Sequence, residues 1–145
     1  RVTAMGKTWV KERRETESGE MKAVHVPEHL DVLLEMVSGA QARLLISNVM
    51  GAAATTEAWL CGSDGTLRFA DGKLFGVQKD GGPLQEITPL PGEAAEWRVE
   101  DEFIGAIRGE ERIHLTDFAK GVRYMAFTEA VYRSLEDGRV IDIES

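Results

Sequence analysis

Apolar residues change their period along this chain of 145 residues. From residue 2 to about residue 88 they come in short runs separated by Gly, Pro, Asp and Ser, a strand-and-turn rhythm. Residues 30–37 (LDVLLEMV) alternate, with Leu30, Val32, Leu34 and Met36 on one side and Asp31, Leu33, Glu35 and Val37 on the other. Periodicity alone also admits a helix there. The turn signal Ser38-Gly39 and the second strand-like run 41–50 (QARLLISNVM) favour a hairpin. Further strands are predicted over 55–61, 65–70 and 73–78, with a short edge strand over 84–88. Asp71-Gly72 is a type I′ turn signal between two of them. The opening residues are β-rich up to Val10, and the charged stretch 11–22 (KERRETESGEMK) reads as a solvated loop. Residues 89–96 carry two prolines and a glycine and are predicted as loop.

Past that loop the period becomes helical. Residues 99–108 form a short predicted helix with Val99, Phe103 and Ile107 on one face, and 110–115 extend towards a much longer one. That helix starts at Thr116 or Asp117, either of which can cap it, and ends at Gly138, which suits the left-handed C′ position. At about 100° per residue, Tyr124, Met125, Thr128, Val131, Tyr132 and Leu135 share one arc. Lys120, Arg123, Glu129, Arg133, Glu136 and Asp137 lie opposite, with Ala119, Ala126 and Ala130 among them. The small residues one turn apart, Ala126 and Ala130, suggest that another element approaches closely there; good helix propensity explains them as well. A closing strand is expected after Gly138. Several consecutive antiparallel strands with two helices make an α+β fold, an open, mostly antiparallel sheet with both helices packed on one face. One domain spanning residues 1–145 is expected, with no internal repeat.

Composition narrows the function classes. A net charge of −8 argues against a nucleic-acid partner, since phosphate binders concentrate Lys and Arg. No run approaches the ~18 apolar residues of a membrane span, and no secretory signal pattern opens the chain. Cys61 is the single cysteine, so an internal disulfide and a cysteine metal cluster are both ruled out. A reducing, cytoplasmic setting is the expectation. His25 and His29 are four apart, but Pro27 between them and the lack of a third ligand argue against a helical metal site. There is no G-x-G-x-x-G after a strand, no P-loop and no G-x-S-x-G. The sequence opens on Arg, directly before a strand-like run, and we expect a further segment ahead of it.

Three stretches carry a family resemblance. Gly121, Tyr124, Ala130, Ser134 and Gly138 form the pattern G-x-x-Y-x-x-x-x-x-A-x-x-x-S with a terminal Gly. DEFIGAIRG at 101–109 and WLCGSDGTL at 59–67 precede it. Together, in order and spacing, they resemble the C-terminal domain of the Gfo/Idh/MocA oxidoreductases, over almost the whole chain. The resemblance implies a parent enzyme using NAD or NADP, with a separate Rossmann domain as partner. It also implies association into a homodimer or tetramer through the open sheet face. The family's catalytic Glu-Lys-Pro and Asp-x-x-x-His motifs are not present, so no catalytic residue and no cofactor site are assigned to these residues.

The resemblance leaves part of a substrate pocket. The loop following the strand 41–50 maps to Ser47, Asn48 and Met50, with the small-residue run 51–54 after it. His114, beside the long helix, can face the same cleft. Asn48 offers donors and an acceptor to hydroxyl groups. The plain alternatives are an Asn that ends a strand and a surface histidine. The family often has an aromatic or charged residue in this loop, so the alanines leave the substrate open among sugars, polyols and related hydroxylated compounds. Trp9, Trp59 and Trp97 are expected in a core or an interface. The competing reading is a non-catalytic sheet module, a dimerising scaffold or small-ligand binder.

Overall fold

The computed structural model describes residues 1–53, 55–90, 92, 97–114 and 117–143. Contacts divide the chain into two compact units, residues 1–51 with 99–145, and residues 52–98. Helices and antiparallel strands confirm the α+β class. The strands pair as separate sheets of three, two and four, where a single sheet was expected.

The first unit is built on β1 (Val2–Lys7), β4 (His29–Glu35) and β5 (Gln41–Ser47), in that spatial order. The predicted hairpin is present. β4 starts one residue earlier than expected and stops at Glu35, because the turn closes there, Met36 N–H donating to Ala40 O at 2.8 Å and Gly39 N–H to Met36 O at 2.9 Å. Val2, Val32, Ala130, Val131 and Ile141 are buried together, with Ala4, Leu30, Leu34, Phe127 and Leu135 packed around them. Each fully buried aliphatic side chain contributes about 1.5–3 kcal/mol. The stretch read as a solvated loop instead holds a small hairpin, β2 (Glu12–Arg14) with β3 (Met21–Ala23). All six of its residues are exposed, so there is no apolar alternation to reveal it.

The long helix α2 (Phe118–Asp137) starts and stops as predicted. Asp117 accepts a hydrogen bond from Lys120 N–H at 2.7 Å, and Gly138 is left-handed at φ 63°. Thr116, the other candidate cap, lies outside the described residues. The buried face is turned from the predicted arc and keeps only Val131 and Leu135 of it. Phe127, Ala130, Val131, Ser134 and Leu135 face the sheet, whereas Tyr124, Met125, Thr128 and Tyr132 are exposed. Close approach to β1 selects small side chains, and the tyrosines keep their hydroxyls accessible, Tyr132 donating to Glu136 at 2.6 Å. The close approach suggested by Ala130 is real, since that residue is 4% exposed. Ala130→Leu is expected to cost about 1–3 kcal/mol through overpacking, read as a lower urea midpoint.

After the helix, a single bridge between Val2 and Ile141 replaces the expected closing strand. It still satisfies β1, whose side facing away from β4 is otherwise a free edge. Val2 N–H donates to Ile141 O at 2.8 Å, and Ala4 N–H donates to Ser134 Oγ at 2.9 Å. The shorter helix α1 (Val99–Arg108) buries Glu102 and Gly105, while Phe103 and Ile107, predicted on its apolar face, are exposed. Glu102 accepts from His114 N–H at 3.0 Å.

The second unit is a meander of β6 (Glu57–Cys61), β7 (Gly65–Ala70), β8 (Lys73–Gln78) and β9 (Gln85–Ile87). Asp71 and Gly72 both take positive φ, 52° and 72°, as the predicted type I′ turn requires. Pairing register sorts the side chains into two unlike faces. Ala58, Leu60, Leu67, Phe69, Leu74 and Ile87 form one. Glu57, Trp59, Arg68, Phe75, Lys73 and Glu86 form the other. On that second face Arg68 lies 5.2 Å from the Trp59 ring and 5.9 Å from Phe75, and it pairs with Glu57 at 3.0 Å. Trp9, Trp59 and Trp97 are all exposed, which removes the core from their expected roles.

Candidate functional site

Ser47 and Asn48 sit where β5 ends, and the register of the sheet gives them neighbours the sequence did not suggest. Lys7, His29 and Ser47 are directly opposite one another on β1, β4 and β5, and alternation puts the three on one face. Val2, Ala4, Leu30 and Val32 occupy the other face, packed in the core beneath α2. The next row on the site's face is Met5, Asp31 and Leu45. Three strands thus bring a cation, an imidazole and a hydroxyl into one line.

Asp31 organises that line. His29 Nε2 is 3.1 Å from Asp31 Oδ2, and Arg43 Nη2 donates to Asp31 Oδ1 at 2.9 Å. The Arg43 guanidinium holds the Asp31 carboxyl below the usual carboxylate range, with His29 adding to the effect. With Asp31 ionised, a neutral His29 donates through Nε2–H and keeps Nδ1 as an acceptor. Arg43 stands opposite Leu33, diagonal to both Glu35 and Asp31; it takes Asp31, and Glu35 pairs with Arg1. The centre of this face is therefore charged and hydrogen-bonded.

Glu28, immediately before β4, fixes this end of the sheet. Its carboxylate is buried and accepts Trp9 N–H at 3.2 Å and Val10 N–H at 2.7 Å, besides an ion pair with Arg13. Its backbone carbonyl receives Asn48 N–H at 2.9 Å. One residue thus ties the chain leaving β1 to the loop that follows β5. The Arg13 hydrogen bond, then that of Val10, lowers the Glu28 pKa. A depressed folded pKa stabilises above the unfolded value of about 4.3 and loses that contribution as pH falls through the folded value. Stability should therefore fall steeply on acidification below about pH 4. In Glu28→Gln that acid limb should flatten, measured as urea midpoint against pH.

Among the described residues, the side chain of Asn48 has no hydrogen-bond partner, and Met50 is half exposed. Ser47 Oγ accepts weakly from Val49 N–H at 3.3 Å. His114 is held elsewhere, its N–H on Glu102 and its carbonyl accepting from Lys120 Nζ at 3.0 Å. No hydrogen bond or ion pair among the described residues joins His114 to Ser47 or Asn48. Ala54, in the small-residue run, lies outside the described residues. The sequence reading missed Lys7, His29, Asp31 and Glu28. His29 and Asp31 alternate in register on a strand, a signal hidden by testing His29 only as a helical metal ligand. Among the described residues no three His, Cys, Asp or Glu come close enough together to hold a metal ion. The row can hydrogen-bond hydroxyls and carry a cation beside them; it holds no group for hydride transfer.

No family model matches the sequence, and a search of curated proteins finds no match. Solved structures do match. Levoglucosan dehydrogenase in complex with NADH and L-sorbose is similar over 99% of this chain and 44% of its own, with a TM-score of 0.76 and 18% identity. An oxidoreductase domain protein from Kribbella flavida gives 0.77 at 19% identity, over 99% of this chain and 46% of its own. An NAD binding oxidoreductase from Klebsiella pneumoniae gives 0.75 at 16%, over 99% and 45%. Identities this low carry the fold and not the chemistry. The chain has the fold of just under half of these oxidoreductases.

Proposed function

We propose that this chain is the C-terminal substrate-binding and oligomerisation domain of a Gfo/Idh/MocA oxidoreductase, one domain comprising both compact units. The observation that supports it most is the coverage: a match over 99% of this chain accounts for only 44–46% of proteins described as oxidoreductases. The motifs at 59–67, 101–109 and 121–138 point the same way. The parent uses NAD or NADP, bound by a Rossmann domain outside these residues, and acts on a sugar, polyol or related compound. The row Lys7–His29–Ser47 with Asn48 supplies hydroxyl-directed hydrogen bonds to that substrate. Met50 and His114 remain part of the proposed pocket. The setting is proposed to be cytoplasmic; no described helix is long and apolar enough to cross a membrane.

Exposed apolar side chains support association. Leu60, Leu67, Phe69 and Ile87, on the apolar face of the four-stranded sheet, are each at least 40% exposed. Pairing of that open face with a second copy gives the proposed dimer or tetramer. Two measurements test the reading. The isolated chain is expected to bind neither NAD(H) nor NADP(H), and a stoichiometric micromolar site in calorimetry overturns the domain assignment. Sedimentation equilibrium at micromolar concentration should give a dimer or larger; a 16.0 kDa monomer removes the assembly role.

A further inference from the structure

The row Lys7–His29–Ser47 carries a charge that hydroxyl groups alone do not call for. The Lys7 ammonium lies against the Trp9 ring, with Nζ 5.8 Å from the ring centroid. Among the described residues it has no carboxylate partner, whereas the carboxylates around it are already engaged. Asp31 is held by Arg43 and His29, Glu28 by Arg13 and two backbone N–H groups, and Glu35 by Arg1. A chain of net charge −8 thus leaves the Lys7 charge uncompensated beside its hydroxyl-binding groups. Trp9 is fixed at the β1 end of the row and Asn48 at the β5 end, and Glu28 fixes both. Trp9 N–H donates to the buried Glu28 carboxylate at 3.2 Å, and Glu28 O accepts Asn48 N–H at 2.9 Å. The indole itself remains 63% exposed, a flat apolar surface of the kind on which the C–H face of a sugar ring stacks.

We propose that the ligand of this row is an acidic sugar, a uronic acid, with its carboxylate on Lys7, its ring against Trp9 and its hydroxyls on His29, Ser47 and Asn48. The inference rests on the reading of these residues as part of a substrate pocket, and it names the substrate class. A neutral sugar would strip water from the Lys7 ammonium and return nothing for it. A carboxylate replaces that water with a charge-assisted hydrogen bond. A sugar phosphate carries about two negative charges at neutral pH, more than a single lysine matches. His29 Nδ1 accepts from a hydroxyl, and the Asn48 amide both donates and accepts, so the remaining groups suit the hydroxyls of the same ring.

Calorimetric titration of the full-length protein decides this, using sugar pairs that differ only in a carboxylate for a hydroxymethyl group: D-galacturonate with D-galactose, and D-glucuronate with D-glucose. Each acid should bind at least about tenfold tighter than its neutral partner, the scale of one hydrogen bond to a charged group. Lys7→Gln should erase that difference and Lys7→Arg should keep it. Trp9→Ala should weaken both members of a pair and leave their ratio in place. Equal binding of acid and neutral sugar, no binding of either acid, or a preference that survives Lys7→Gln overturns the proposal. Tighter binding of D-glucose 6-phosphate than of D-glucuronate overturns it in favour of a phosphate. NADH and NADPH are titrated first, in the same protein. Failure of both removes the oxidoreductase reading, while the sugar pairs still decide the ligand of the row.

Discussion

Ser134→Ala is expected to lower the stability of the first unit by about 2–3 kcal/mol, far beyond what the loss of one oxygen from a surface serine costs. Ser134 is completely buried, and its hydroxyl works in both directions. It accepts from Ala4 N–H at 2.9 Å and donates to Arg139 O at 2.7 Å. The first bond closes the free edge of β1, and the second fastens the turn after α2. Removing the oxygen leaves a part-buried N–H without a partner at the contact between helix and sheet, where water has little room to replace it. Ser134→Thr keeps the hydroxyl but adds a methyl where a neighbouring backbone comes close, so it should also destabilise, by packing. Urea unfolding of the alanine variant against the parent is the measurement, with unchanged slope and a lower midpoint expected. A difference below about 0.5 kcal/mol, the scale of ordinary surface substitutions, would mean that Ala4 N–H finds another acceptor.

The second large effect lies in the four-stranded sheet, where two glycines look alike in sequence and differ in structure. A Cβ added at Gly65 would collide with the carbonyl oxygen of Val77 and stand 3.2 Å from Gln78 Cα. Both are backbone atoms of β8, so relief requires moving the paired strand. At Gly76 the added atom would meet Ile87 Cδ1 at 2.6 Å and Leu67 Cδ2 at 3.0 Å, the ends of side chains that can rotate aside. Gly65→Ala should therefore cost about 3 kcal/mol, and Gly76→Ala about 1 kcal/mol or less. The first should also disturb the turn in which Gly62 N–H donates to Gly65 O at 2.9 Å. Hydrogen exchange of the β7 and β8 amides would show it as faster opening in Gly65→Ala than in Gly76→Ala. Equal protection in the two would place the tight contact elsewhere.

What the sequence by itself determined was local. The cap at Asp117, the left-handed Gly138, the turn at Asp71-Gly72 and the alternation of residues 30–37 each depend on backbone geometry within a few residues. Each appears in the structure within a residue or two. The β2–β3 hairpin escaped because exposed charged strands leave no apolar period to read. The face on which a helix lies was not local. Apolar content favoured Tyr124, Met125 and Tyr132, but the separation from β1 admits only Ala130 and Ser134 at closest approach, and separation is set by the whole packing. The site was half legible for the same reason. Ser47 and Asn48 could be picked out at a strand end, while His29, Lys7 and Asp31 became their neighbours only through the register of three strands. Folding surrounds Glu28 with Trp9, Val10 and Arg13, which lie 15–19 residues away along the chain. Such a residue is buried only because those partners repay its desolvation, and a partner across that distance leaves no periodic trace in the sequence.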